Sequence, residues 1–291
     1  MLKACLKEAS KFETFLPSIF ACLLFTPMTL ILAALIGFAP LAAHAEVAAT
    51  PTTTASSPLT VTGNVGVTSN YVFRGISQTQ HKPTLSGGVD ISHASGLYLG
   101  GWLSGQKWVK TSGTDDATDV GYKQNSSLEV DLYGGYKGSA GDFGYDLGLI
   151  HYYYPGDKVA ANVSPDTTEV YLGGSWKTLS VKYSHALSDY FIGWGVKDVT
   201  KTRGSNYLEV NATHDLGQGL GLIAHLGKQK IKNLPVSDYT DWKIGITKEL
   251  SVGTITAAWT DTDADPVAGS YKWDGKEVSR GVFALSFSKS F

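Results

Sequence analysis

The sequence predicts an all-β fold: a single antiparallel transmembrane β-barrel of about 12 strands, with short periplasmic turns and long extracellular loops. Three observations predict it. Apolar and polar residues alternate with period two in twelve successive stretches, the connections between them alternate between short and long, and the chain ends on "FALSFSKSF", an amphipathic strand with an aromatic terminus.

The N-terminal part differs in kind from the rest. Lys3, Lys7 and Lys11 precede an apolar run from Ile19 to Leu41 that closes on Ala43-His44-Ala45. A charged region, a hydrophobic region and an A-x-A site make residues 1–45 a secretory signal peptide for Sec-type export. The stretch "EVAATPTTTASSP" at 46–58 has neither period nor large apolar side chains and reads as a disordered periplasmic spacer. Residues 59–291 then form the barrel.

Composition supports this division. Cys5 and Cys22 both lie in the leader, so no disulfide stabilises the exported chain. Without the leader's charges, 21 basic and 24 acidic residues remain, a balance that excludes an electrostatic nucleic-acid binder. Glycine is abundant at 33 residues, which with many Tyr and Thr suits strands and turns. No apolar run after residue 45 is long enough for a spanning helix, so a membrane role requires strands.

The strands are expected at about 60–74, 83–93, 97–105, 125–137, 143–154, 167–176, 179–188, 205–214, 219–228, 239–248, 253–261 and 280–291. In the first, Val61, Val65, Val67, Tyr71 and Phe73 share one parity, while Thr60, Thr62, Asn64, Thr68 and Asn70 share the other. Short connections such as Ala94-Ser95-Gly96 and Lys177-Thr178 alternate with long ones at about 75–82, 106–124, 155–166, 189–204, 229–238 and 262–279. A β-sandwich has no reason to sort its loops in this way, whereas an outer-membrane barrel has short periplasmic turns and long outer loops. On that topology Phe73, Tyr153 and Trp259 belong to an outer aromatic girdle, and Tyr136, Phe143, Trp176 and Phe291 to a periplasmic one. The last strand must pair with the first, because lipid offers nothing to an open edge.

The polar parity carries the charge. Glu129, Glu169 and Glu209 recur at intervals of 40 residues, each followed by Val, and Asp241 occupies a similar place in the next descending strand. With Asp90, Asp131 and Asp146 they give seven inward carboxylates against Lys182 and Lys243. These residues, with Tyr171, are the candidate pore lining, and an acidic lining favours cations. The opposite possibility is a plugged lumen in which the same groups form a buried network.

Catalytic patterns are weak. His151, His185 and His214 fall on the apolar parity and His225 on the polar one, without metal-ligand spacing. Ser184, His225 and Glu209 make one of many arbitrary triads. Gly217-x-Gly219-x-Gly221 sits at a hairpin turn rather than between a strand and a helix. No enzyme activity, cofactor or metal is therefore expected.

The segment "SNYVFRGISQTQHKPTLSGGVDISHASGLYLGGWLSG" at 69–105, with "LEVDLYGGYKG" further on, resembles the bacterial family of TorF-type porins. The resemblance covers nearly the whole exported chain and implies an outer-membrane β-barrel of a Gram-negative bacterium that forms a pore. It supplies no catalytic residues. Within it, Arg74 lies at the outer end of the first strand, where it is expected to narrow the pore mouth or to pair with a loop carboxylate. The expected activity is passive diffusion of small hydrophilic solutes or ions, with cations preferred. The alternative is a plugged barrel acting as an enzyme or adhesin through its outer loops. The expected partners are outer-membrane lipids, the transported solutes and the barrel assembly machinery, the last through the Phe291 strand.

Overall fold

A computed structural model describes residues 58–111, 126–156, 163–268 and 270–291. The expected signal peptide, the expected spacer up to residue 57, and parts of three long loops lie outside the described residues. The described chain forms one closed antiparallel barrel of twelve strands. They are β1 (Leu59–Thr68), β2 (Thr84–His93), β3 (Leu97–Gly105), β4 (Leu128–Ala140), β5 (Phe143–Tyr153) and β6 (Thr167–Trp176) in the first half. The second half holds β7 (Leu179–Ala186), β8 (Asn206–Gly217), β9 (Leu220–Lys230), β10 (Tyr239–Leu250), β11 (Gly253–Thr262) and β12 (Val282–Ser290). Every strand pairs with its sequence neighbours, and β12 closes on β1 with Val67 opposite Phe287.

Burial is inverted relative to a water-soluble protein. Along each strand the apolar parity faces outward: Leu85 is 71% exposed, Leu172 60% and Ile244 65%. The polar parity faces inward, where Glu169 is 0% exposed and Asp146 and Asp241 1% each. Such a surface is stable only where hydrocarbon surrounds it, which places the barrel in a bilayer. Tyr153, Tyr183, Trp242, Trp259 and Phe283 ring one end of the outer surface, and Tyr136, Phe143, Tyr145, Trp176 and Phe291 ring the other. These are the two girdles that anchor a barrel at its two interfaces.

The connections sort by length as the sequence implies. Five tight turns join the strands at one end, whereas the connections at the other run over 69–83, 106–127, 154–166, 187–205, 231–238 and 263–281. At the tight-turn end Gly63 and Phe291 exchange backbone hydrogen bonds, Gly63 N–H to Phe291 O at 2.8 Å and Phe291 N–H to Gly63 O at 2.9 Å. The aromatic terminus is therefore tied into the seam. Lys289 stands exposed on the outer face near this interface, where its stem can lie along the barrel and its ammonium reach headgroups.

One strand departs from expectation. β1 ends at Thr68 rather than near residue 74, and Ser69 onward turns into the barrel. Asn70 makes the turn: its Oδ1 accepts from the Ser77 hydroxyl at 2.6 Å and the Thr79 hydroxyl at 3.1 Å. A small hairpin follows, Val72–Phe73 paired with Ile76–Ser77 through Arg74 and Gly75, both at positive φ. Phe73 consequently leaves the outer girdle. Its ring packs inside the barrel, edge-on to Tyr152 at 5.6 Å between centroids.

Candidate functional site

The site is the barrel interior together with the hairpin it encloses. Three partners of the hairpin show how deeply it reaches. Tyr71 donates to Glu129 Oε1 on β4 at 2.6 Å and packs on Trp102 of β3. Arg74 meets Glu169 on β6 and Gln229 on β9. A Cβ on Gly75 would stand 2.5 Å from both Asp241 Cβ on β10 and Thr262 Cγ2 on β11, so only glycine fits at the tip. The hairpin thus spans the lumen from one wall to the opposite one.

Arg74 is the keystone of this arrangement. Its Nη1 and Nη2 donate to Glu169 Oε1 and Oε2 at 3.1 and 2.7 Å, and Nη1 also reaches Gln229 Oε1 at 3.1 Å. Phe73, Phe191 and Tyr207 surround the guanidinium at 4.8, 5.8 and 4.4 Å from their ring centroids. A planar cation with five donors suits this fork between rings, and lysine would not reproduce it.

The outer connections complete the closure. The 263–281 segment folds a second small hairpin, Lys272–Trp273 with Lys276–Glu277, around Asp274 and Gly275. It docks on the first, with Ser77 N–H donating to Val278 O and Gln80 Nε2 to Trp273 O. Tyr71, Ile76, Trp108, Tyr154, Tyr271 and Trp273 pack there as one buried aromatic cluster. In this conformation the outer half of the lumen is filled.

Below the hairpin lies a charge network. Lys182 Nζ stands 3.0 Å from Glu209 Oε1. His225 Nδ1 lies 2.7 Å from Asn211 Oδ1, and Nε2 lies 3.0 Å from Asp241 Oδ1 and 2.9 Å from the Tyr207 hydroxyl. The Tyr207 hydroxyl joins the network, donating to Asp241 Oδ2 at 2.8 Å while its ring carries Arg74. Further toward the tight turns Tyr98 donates to Asp146 at 2.6 Å and meets the Tyr171 hydroxyl, and Tyr133 donates to Asp90 at 2.6 Å. Lys137, Ser175, Asn211, Thr247 and Thr256, on the same parity beyond them, are half-buried.

All nine candidate lining residues thus lie on the inward parity. Glu129, Asp131, Asp146, Glu169, Tyr171 and Glu209 are buried, and Asp90, Lys182 and Lys243 half-buried. Arg74 is not at an open mouth and does not pair with a loop carboxylate; it is enclosed against a strand carboxylate. Glu209 Oε2 lies 3.7 Å from His225 Nδ1, but no hydrogen bond joins His225 to Ser184, so the three do not assemble as a relay. The period-two pattern predicts neither the inward hairpin nor the second one. Asp274-Gly275 is a favoured dipeptide for a tight hairpin turn and signals the second one; the first has only Arg74-Gly75.

Among solved structures, the chain is similar to a KdgM porin in complex with disordered oligogalacturonate, at 10% identity and a TM-score of 0.45, covering 80% of this chain and 98% of that one. It is also similar to an outer membrane channel from Pseudomonas putida F1, at 12% identity and a TM-score of 0.43, covering 79% and 95%. At these values the barrel's own hydrogen bonding, rather than the likeness, carries the fold assignment. No curated protein matches the chain in sequence. The model of a family described as a bacterial protein of unknown function (Gcw_chp) matches residues 52–291, and the chain belongs to that family.

Proposed function

We propose that the protein is a porin-type outer-membrane channel for passive diffusion of small hydrophilic solutes or ions, with cations preferred, closed by the Ser69–Pro83 segment in the conformation described. The observation that carries this reading is the inverted barrel with seven carboxylates on its inner wall. A barrel that only needed filling would be filled most cheaply by apolar side chains, since buried charges cost desolvation. The hairpin strands pair only with each other and meet the wall through side chains, chiefly Arg74 and Tyr71, so the hairpin can leave without breaking the barrel ladder. The resemblance of 69–105 to TorF-type porins supports the same reading.

Single-channel recording of the refolded chain in planar bilayers, under a salt gradient, tests it. Discrete openings with a reversal potential on the cation side are expected, and a higher open probability in Arg74→Ala. A folded barrel that stays silent in both proteins would overturn the channel reading and favour the plugged barrel that acts through its outer loops. Anion preference would overturn the selectivity.

A further inference from the structure

The lumenal charges are not compensated evenly. On β6 to β10 each buried carboxylate of the network has a basic side chain against it: Glu169 has Arg74, Glu209 has Lys182, and Asp241 has the His225 ring. On β4 the pattern breaks. Glu129 and Asp131 are 2% and 3% exposed and, two residues apart on one strand, face the same side. Among the described residues no Lys, Arg or His pairs with either. Glu129 accepts from the Tyr71 phenol, with the Tyr154 phenol in reach of the same carboxylate. Asp131 Oδ1 is buried with no hydrogen-bond partner at all.

A buried carboxylate without a partner is costly, and two side by side more so. Two carboxyls that share a proton do so through a direct O–H···O contact, and no such bond joins Glu129 to Asp131. The donors present are all hard oxygens: two carboxylates and two phenols. Hard divalent cations such as Ca²⁺ and Mg²⁺ take such ligands, and Mg²⁺ in particular is commonly held by one or two carboxylates while it keeps several waters. Among the described residues no three Asp, Glu, His or Cys side chains converge as a closed cage, so the bound ion must retain part of its water shell.

We propose that Glu129 and Asp131, beneath Tyr71 of the inward hairpin, form a binding site for a partly hydrated hard divalent cation. Glu129 lies one residue inside the outer end of β4, on the long-loop side of the barrel. The ion neutralises the pair and fixes the carboxylate to which Tyr71 is bonded, which couples its binding to hairpin docking. The site does not depend on conduction, since a barrel that never opens can still bind the ion.

Terbium luminescence tests the site directly on the refolded full chain in detergent. Tb³⁺ replaces Ca²⁺ on oxygen ligands, and the Tyr71 and Tyr154 phenols beside the pair sensitise its emission. Wild-type protein is expected to give saturable emission that Ca²⁺ displaces, with affinity at least tenfold lower in Glu129→Gln and in Asp131→Asn. Asp142→Asn, in an exposed turn at the opposite end, is expected to bind like wild type and so controls for surface carboxylates. Glutamine and asparagine keep the side-chain shape and remove like-charge repulsion, and heat-modifiable migration verifies that each variant is folded. Emission absent from folded wild type, or equal in wild type and both lumenal variants, would overturn the proposal.

Discussion

Arg74 and Glu169, 95 residues apart in sequence, meet as a two-point fork in which the side chains are 7% and 0% exposed. Neither partner has water to fall back on. Removing one therefore strands the other, at a cost of about 3–5 kcal/mol for a buried pair. Arg74→Ala and Glu169→Gln are each expected to undock the hairpin while the barrel ladder, which does not use these side chains, stays closed. Chymotryptic cleavage after Tyr71 or Phe73 reads the undocking. The double variant is expected to be less exposed than the two singles would sum to, because it leaves no stranded charge. Additive effects would mean that the fork does not hold the hairpin. Arg74→Lys keeps the charge without the fork and is expected to fall between wild type and Arg74→Ala.

That pair also marks where the sequence stops being informative. The strands are legible because lipid on one side and polar lumen on the other impose a period of two on every residue between them. Val61, Val65 and Val67 continue this parity into Tyr71 and Phe73, so the hairpin looks like a continuation of β1. Two different burials, one against lipid and one against the interior of the barrel, select the same side-chain types. The lining carboxylates are legible from parity, yet their partners are not. Gln229, Asn211 and Tyr207 become a network only once the barrel sets β6, β8, β9 and β10 around one space. His225 stands out in the sequence only as the histidine on the polar parity.

Leu172 tests the inverted burial. It lies mid-strand on β6 opposite Leu147 of β5, and both point outward at more than half exposure. An arginine there meets hydrocarbon rather than water. Leu172→Arg is expected to destabilise the folded barrel in lipid by about 2–4 kcal/mol, the cost of such a charge at the midplane. Unfolding titrations in vesicles check the value. No destabilisation would mean that this face is not in lipid.

The outer loop at 187–205 carries a pH-dependent clasp. Asp189 receives Lys201 Nζ at 2.8 Å, and Arg203 Nη2 and Nε at 2.8 and 3.0 Å. Hydrogen bonds from Lys201, then Arg203, hold its carboxyl below the ordinary aspartate value. A depressed acid stabilises the loop at any pH above its unfolded value and loses that contribution as pH falls through the folded one. The loop is therefore expected to be equally protected at pH 7 and pH 5, and to loosen only below the usual aspartate range. Asp189→Asn is expected to show the loosened state already at pH 7. Hydrogen exchange at Thr202 and Arg203, whose amides donate to Asp189 O, reports it when each pH is referred to its intrinsic exchange rate. All three side chains are solvent-exposed, so the effect is confined to the loop and leaves barrel stability unchanged.

The seam between Gly63 and Phe291 ranks two substitutions. Deleting Phe291 removes both backbone hydrogen bonds and the ring, and opens the end of the β1–β12 pairing. Each such bond contributes on the order of 1 kcal/mol in water and more near hydrocarbon, where the freed groups find no replacement. Gly63→Val acts on the ring alone: a Cβ at Gly63 would stand 2.7 Å from Phe291 Cε2, at the far end of a side chain that can swing away. Deletion is therefore expected to lower the temperature at which the compact band converts to the slow one by more than Gly63→Val does. If the two shift it equally, the ring rather than the backbone pair secures the end of the barrel.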